Sequence, residues 1–311
     1  MLAGLTPEER SALDVRVLFT HAQPEKHPDW NKQWLGLVDQ WSGYNVSKEQ
    51  LKQLQEWEDK ADYYAKGVWD YVYMIQQCLL SEAPYIAIFE DDIIFADGWL
   101  SKTFQGLADL RDQTSWLYLR LFYTETSLGW EENVDFWYGH MTLTFGLAMV
   151  SGLLVLLVLR RLSRLRRVMD NTTIAVLVLV TIPAFTALVF MVGKYNLMPL
   201  HGVVKMDKWG CCTQALVFPR NQIDGLLDML STKAGQTDSL IEDYADAASL
   251  QRYALAPQVV QHVGLVSSRT NTELNTKSTW AFWFEAQNPA ALKAEHKQLA
   301  KVGSIWRGTS T

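Results

Sequence analysis

Three absences narrow the reading of this 311-residue chain before any motif is considered. Cysteine is scarce. Three copies, Cys78, Cys211 and Cys212, cannot supply a disulfide framework, and no Cys/His spacing suggests a zinc site. An extracytoplasmic location would permit a disulfide. Adjacent cysteines rarely bond each other, so Cys78 with one of the pair is the geometric possibility, and an odd count leaves at least one free thiol. A basic excess is also missing. Lys and Arg number 28 against 34 Asp and Glu, for a formal net charge of −6, which argues against nucleic acid as a partner. Finally, the opening residues MLAGLTPEERSALD contain neither a signal peptide nor an apolar anchor. The chain is therefore expected to be targeted by an internal segment, or to lack an N-terminal part.

What is present begins with two uncharged apolar runs, Met141–Leu159 and Ile174–Val192. Each just reaches the ~20 residues that a helix needs to cross a hydrocarbon core. Buried core helices are the alternative, but these rarely lack a polar stripe over such a length. Pro183 in the second run is tolerated within a bilayer. The connector RRLSRLRRVMDNTT carries Arg160, Arg161, Arg164, Arg166 and Arg167, whereas Glu131, Glu132 and Asp135 precede the first run. Short basic loops stay cytoplasmic, so the hairpin tip is expected in the cytosol and both flanks in the lumen. Trp137 and Tyr138 sit where an interfacial aromatic belt is expected. The expected divisions are 1–138, a hairpin at 139–194, and 195–311. Asn45-Val46-Ser47 is a glycosylation sequon on the lumenal side. Asn171 heads a second sequon on the Arg-rich side and is expected to stay unmodified.

The flanks read as alternating strands and helices. Val15–Thr20, Tyr85–Phe89, Trp116–Phe122, Thr213–Pro219 and Gln258–Val263 are short apolar strand candidates. Ser47 to about Leu80 reads as one long helix, with Ser47 and Gln50 as a capping box. Asp97 is placed to cap a helix through Leu110. Asn221–Leu230 and the acidic stretch Asp238–Leu255 read as further helices, and a polar tail follows residue 263. This alternation predicts an α/β domain with a mainly parallel sheet.

Glu90-Asp91-Asp92 follows the strand Tyr85–Phe89 directly. An isolated acidic triplet is more often a turn that caps the next helix. Here an apolar strand precedes it and Ile93-Ile94-Phe95 follows, which favours neutralisation by a divalent cation with oxygen ligands. In open α/β sheets the ligand crevice lies beyond the carboxyl ends of the strands. Downstream, Asp238, Glu242 and Asp243 are candidates for a general base, although each also suits a helix cap or a solvated face. His262, near a strand end, is either a hydrogen-bonded structural residue or a cation or phosphate contact.

The segments YIAIFEDDIIF, WLYLRLFYTE, WGCCTQALVFPR and APQVVQHVGLVSS together resemble the post-GPI-attachment-to-proteins N-acetylgalactosamine transferase family. The last segment is also similar to N-acetylglucosaminyltransferase IV enzymes. The resemblance runs from Val15 to about Ser268. It implies a GT-A-like catalytic domain interrupted by a tandem transmembrane insertion, multi-pass in the Golgi membrane. It also implies inverting transfer from UDP-N-acetylgalactosamine, with Mn²⁺, to a mannose of the GPI-anchor glycan. By the same resemblance Glu90 and Asp91 contact the nucleotide sugar, Asp92 and His262 the metal, and one of Asp238, Glu242 and Asp243 is the base. Family members carry an N-terminal anchor and a first strand that helps hold uridine, and the chain is expected to begin after both. That departure motivates the alternative expectation, a non-catalytic glycan-binding or scaffolding membrane protein descended from such an enzyme.

Overall fold

The computed structural model describes residues 1–124, 129–130, 133–162, 165–206, 210, 212–264 and 280–301. Its contacts separate two units, Met1–Thr124 with His201–Thr311, and Glu125–Leu200.

The first unit opens with α1 (Pro7–Ser11), capped reciprocally by Thr6 and Glu9. Strands β1 (Arg16–Leu18) and β2 (Gln40–Ser42) pair in parallel. The long helical stretch is two helices, α2 (Lys48–Asp59) and α3 (Tyr63–Cys78). The Ser47–Gln50 capping box starts the first. The break falls at Ala61, which adopts φ 54°, and Asp62 caps the second helix by accepting from the Ala65 N–H at 3.1 Å. Next come β3 (Tyr85–Phe89), β4 (Ile93–Phe95), α4 (Trp99–Asp109) and β5 (Trp116–Arg120). Asp97 does not cap α4. Gly98 occupies that position in the left-handed region, and Asp97 turns to His296 instead.

The second unit holds α5 (Val134–Gly139), α6 (Met141–Leu159), α7 (Asn171–Val176), α8 (Ile182–Val192) and α9 (Lys194–Leu197). Met141–Leu159 and Asn171–Val192 are long and apolar enough to cross a membrane. Leu143, Leu147, Val150, Leu154 and Val158 of α6 are exposed, as expected of side chains that face lipid. Pro183 has no N–H to donate and its ring crowds the carbonyl four residues earlier, and a π turn at Leu177–Thr181 joins α7 to α8 just before it. Gly152 lets the two spans approach closely, because a Cβ there would lie 2.2 Å from Ile182 Cδ1. Arg160 donates to Asn171 Oδ1 across the tip at 2.6 Å. Arg164, Glu131 and Glu132 lie outside the described residues.

The chain re-enters the first unit as β6 (Gly202–Lys205), β7 (Ala215–Pro219), α10 (Ile223–Leu230), α11 (Thr237–Ala247), β8 (Gln251–Ala256) and β9 (Val260–His262). Two further helices, α12 (Phe282–Glu285) and α13 (Pro289–Lys301), occupy what reads in sequence as a polar tail. The expected helix Asp238–Leu255 ends at Ala247. Ser249 adopts φ 54° and turns the chain into β8, whose largely buried residues show no two-residue period.

The five-stranded sheet has the order β3-β7-β5-β8-β6. It is mixed and mostly antiparallel: only β5 and β8 run in parallel. Alternation of elements does not fix direction. β7 follows the inserted hairpin and β6, not a βαβ crossover, so it enters between β3 and β5 running against both. Strands β5 and β7 are buried throughout, which means both faces are covered. One face presents Leu119, Leu121, Ala215, Val217 and Leu255 to the core that α4 closes through Leu100 and Leu107. The other presents Tyr118, Arg120 and Phe218, with Tyr71 of α3 edge-on to Phe218.

Cys78 is a free thiol, raised to about 11 by burial, and Cys212 is disulfide-bonded, so the expected bridge from Cys78 is not formed. Helix α3 fixes Cys78 at its last position, packed beside Arg16. Cys211 lies outside the described residues.

Candidate functional site

The acidic triplet forms the connection between β3 and β4. Glu90 still belongs to the sheet, its N–H donating to the Gln214 carbonyl at 3.0 Å. Its side chain turns inward and accepts from the Thr213 hydroxyl at 2.6 Å. Burial pushes this carboxyl above the usual carboxylate range, helped by Asp92 and opposed by Thr213 and His262. Asp91 is exposed, whereas Asp92 is half-buried.

β4 pairs antiparallel with β9, and the register sets Ile93 opposite His262. The neighbouring Val263 N–H donates to the Asp92 carbonyl at 2.8 Å. This pairing brings together two residues 170 positions apart, with His262 Nε2 3.0 Å from Asp92 Oδ2. Asp92 Oδ1 is buried and accepts no hydrogen bond among the described residues. Gly264 closes the cradle, since a Cβ there would stand 2.0 Å from Asp92 Oδ2 and 3.0 Å from His262 Nε2.

These donors suit a hard divalent cation. A carboxylate with an unsatisfied oxygen and an imidazole nitrogen are apt ligands, and a cation in a phosphate-handling site takes its remaining ligands from substrate and water. Among the described residues no group of three or more His, Cys, Asp or Glu is placed to hold an ion.

The three candidate bases separate on α11. Glu242 points into the sheet and is only 8 % exposed. Its Oε1 accepts from the Tyr118 hydroxyl at 2.6 Å and from Arg120 Nη2 at 3.2 Å. Its Oε2 pairs with Arg252 Nε at 2.5 Å. Burial raises its carboxyl, against the pull of Arg120, Tyr118 and Arg252. Asp246, one turn on, also pairs with Arg252, at 2.6 Å. Gly210 packs against this knot, its notional Cβ only 2.7–2.8 Å from Arg120, Tyr118 and Glu242. Arg120 also donates to the Cys212 carbonyl. Asp243 is exposed, and Asp238 is half-buried in the first turn. Asn45 of the sequon is exposed.

Sequence reasoning misses Thr213, Gly264, Tyr118, Arg120 and Arg252. One signal was available: Arg120 interrupts the apolar run WLYLRLF and Arg252 precedes YALA. A buried arginine requires an anionic partner, which Glu242 supplies. Thr213 and Gly264 carry no such mark.

The profile of a family described as GPI-N-acetylgalactosamine transferase PGAP4 matches residues 5–261. No curated protein and no solved structure matches the chain. The match covers most of the sequence and spans the acidic loop, the hairpin and all three candidate bases. The chain belongs to this family of GPI-directed glycosyltransferases.

Proposed function

We propose that this protein is a membrane-bound, inverting, GT-A-like glycosyltransferase of the Golgi, with its catalytic parts in the lumen. It moves N-acetylgalactosamine from UDP-N-acetylgalactosamine to a mannose of the GPI-anchor glycan, with Mn²⁺ as cofactor. Family membership supports the reaction class, and the observation that carries the chemistry is the Asp92–His262 cradle beneath Gly264. Asp92 and His262 would hold the cation. When bound, it supplies positive charge for the diphosphate leaving group. Glu90, tied to Thr213, holds the loop in place, and the exposed Asp91 is free to meet the sugar nucleotide.

Inversion requires a base on the side opposite the departing diphosphate, taking a proton from the acceptor hydroxyl as that oxygen attacks the anomeric carbon. Glu242 is a poor choice, because both oxygens face guanidinium groups and little of the side chain is accessible. Asp238 and Asp243 keep accessible carboxylates. Of the two, replacing the base with Asn should lower kcat by about 10²–10⁴-fold and the other change should not. Retained activity in both variants would return the role to Glu242 or to a residue outside α11.

The decisive experiment measures UDP-N-acetylgalactosamine hydrolysis and transfer with Mn²⁺, comparing the protein with Asp92→Ala. Loss of metal-dependent turnover is expected. Absence of any Mn²⁺-dependent activity in the unaltered protein would favour a non-catalytic glycan-binding role.

A further inference from the structure

Strand β9, which carries His262, is gripped by residues that return after it in sequence. Gln261 is fully buried and bonds twice to Ala281. Its Nε2 donates to the Ala281 carbonyl at 3.0 Å, and its Oε1 accepts from the Ala281 N–H at 3.0 Å. The same Nε2 reaches Glu285 at 3.2 Å. Gln287 Nε2 donates to the Gln258 carbonyl at 2.8 Å, and Gln258 in turn donates to the Tyr123 carbonyl at 3.0 Å. Residues 281–287 therefore brace the strand on both sides of Val260.

This segment continues into α13, where His296 is inserted between two acids. Its Nε2 lies 2.9 and 3.0 Å from the oxygens of Glu9, and its Nδ1 lies 2.7 Å from Asp97 Oδ1. Glu9 is fully buried and also accepts from the Ser101 hydroxyl at 2.6 Å and the Thr6 N–H at 2.8 Å. Gly98 lies against the imidazole side chain, with no room for a Cβ, which would stand 2.9 Å from His296 Cβ. Beside His296 on α13, Glu295 pairs with Lys102 of α4 at 2.8 Å. The charged groups facing the ring are thus Glu9 from α1 and Asp97 from the turn before α4, with the Lys102–Glu295 pair alongside.

We propose that residues 281–301 form a clasp that positions His262 against Asp92, fastened by protonated His296 between Glu9 and Asp97. The proposal rests on the reading of Asp92 and His262 as the metal-holding pair. A neutral imidazole carries one N–H, so it can donate to one of the two acids only, and its bare nitrogen then opposes the other carboxylate. Both contacts are satisfied at once only by the imidazolium. Burial pulls His296 down, but the hydrogen bonds and charges of Glu9 and Asp97 outweigh it and raise its pKa. The contribution is complete below the ordinary imidazole value, about 6.5, and is lost as pH rises through the raised one. The clasp is fastened in a mildly acidic compartment and loosens toward alkaline pH.

Hydrogen exchange on the full chain, without metal or donor, tests this at the Val263 N–H, which bonds to the Asp92 carbonyl. Corrected for intrinsic rates, protection there should fall several-fold between about pH 5.5 and pH 8.5. The Leu121 N–H, bonded to the Ala215 carbonyl inside the sheet, should keep its protection. His296→Gln should show the loosened state at every pH. Asp97→Asn removes the half-exposed partner, leaves Glu9 in place, and should move the transition to lower pH. A pH-independent Val263 amide in the native protein, or native protection in His296→Gln, would overturn the clasp. If Asp92→Ala leaves turnover intact while the Val263 result holds, the catalytic reading fails and the clasp stands.

Discussion

Gly264→Ala separates the site from the fold more cleanly than any other substitution. The added methyl would stand 2.0 Å from Asp92 Oδ2, where non-bonded carbon essentially never comes within 3.0 Å, so roughly 1 Å of displacement is required. The backbone of Gly264 is not in the left-handed region, so alanine brings no conformational strain. The cheapest relief is rotation of the Asp92 carboxylate, which breaks its 3.0 Å contact with His262. No buried apolar packing is lost, so the stability change should stay within about 1 kcal/mol. Misplacing a catalytic group by about 1 Å removes about 10²-fold in rate, or about 2.7 kcal/mol of transition-state stabilisation. The assay is Mn²⁺-dependent transfer from UDP-N-acetylgalactosamine, with a thermal melt of the same preparation. Activity within about threefold of the unaltered protein, at unchanged Tm, would refute the assignment of Asp92 and His262 as a functional pair.

Glu242→Gln leaves Arg120 and Arg252 buried without their anion. It should destabilise the first unit by about 3–5 kcal/mol, read as a Tm lower by about 6–20 °C. A smaller drop would mean that Tyr118 and Asp246 suffice to neutralise the pair. The pH profile of Tm should peak between the ordinary carboxylate and imidazole ranges, about pH 4.5 to 6.5. Glu9 is pushed up by burial but pulled further down by Ser101, the Thr6 N–H and His296, so its contribution is lost as pH falls. His296, shifted up, loses its contribution as pH rises, and His296→Gln should flatten the alkaline limb and, by removing one of the groups that hold Glu9 down, make the acid limb shallower. If Asp92 and His262 hold the cation, chelation of divalent cations should abolish turnover without lowering Tm, because two ligands on one short β-pair would not hold the unit together. A chelator-induced melt would contradict that.

Features that depend on local chemistry were legible in the sequence. The capping box at Ser47, the strand Tyr85–Phe89 and the acidic turn after it all stand where patterning puts them. The two uncharged runs form helices of membrane-spanning length for the same reason. Features that depend on distant partners were not. Nothing near Asp92 announces that His262 will face it, since that requires β4 and β9 to pair in a particular register. Strand direction was misjudged because a period of two is the same in either orientation. His296 read as part of a polar tail, and only the fold shows it buried between Glu9 and Asp97. Among the bases, helical spacing gave Asp238, Glu242 and Asp243 equal standing. Two arginines from the strands beneath α11 distinguish them.

The position of β7 has a consequence for biosynthesis. β3 and β5 do not touch each other as partners; β7 fills the gap between them, and β8 supplies the other neighbour of β5. Both later strands are synthesised after the two apolar spans. The first 124 residues emerge with β3 and β5 lacking the strand that joins them, and they stay that way while the hairpin is made. Long-range closure of this kind is slow, and unpaired strand edges invite association in the meantime. Residues 1–124 expressed alone are expected to form helix but no cooperative sheet by circular dichroism. Supplying 201–311 as a second polypeptide should restore it, making the nascent first half dependent on protection until its missing strands arrive.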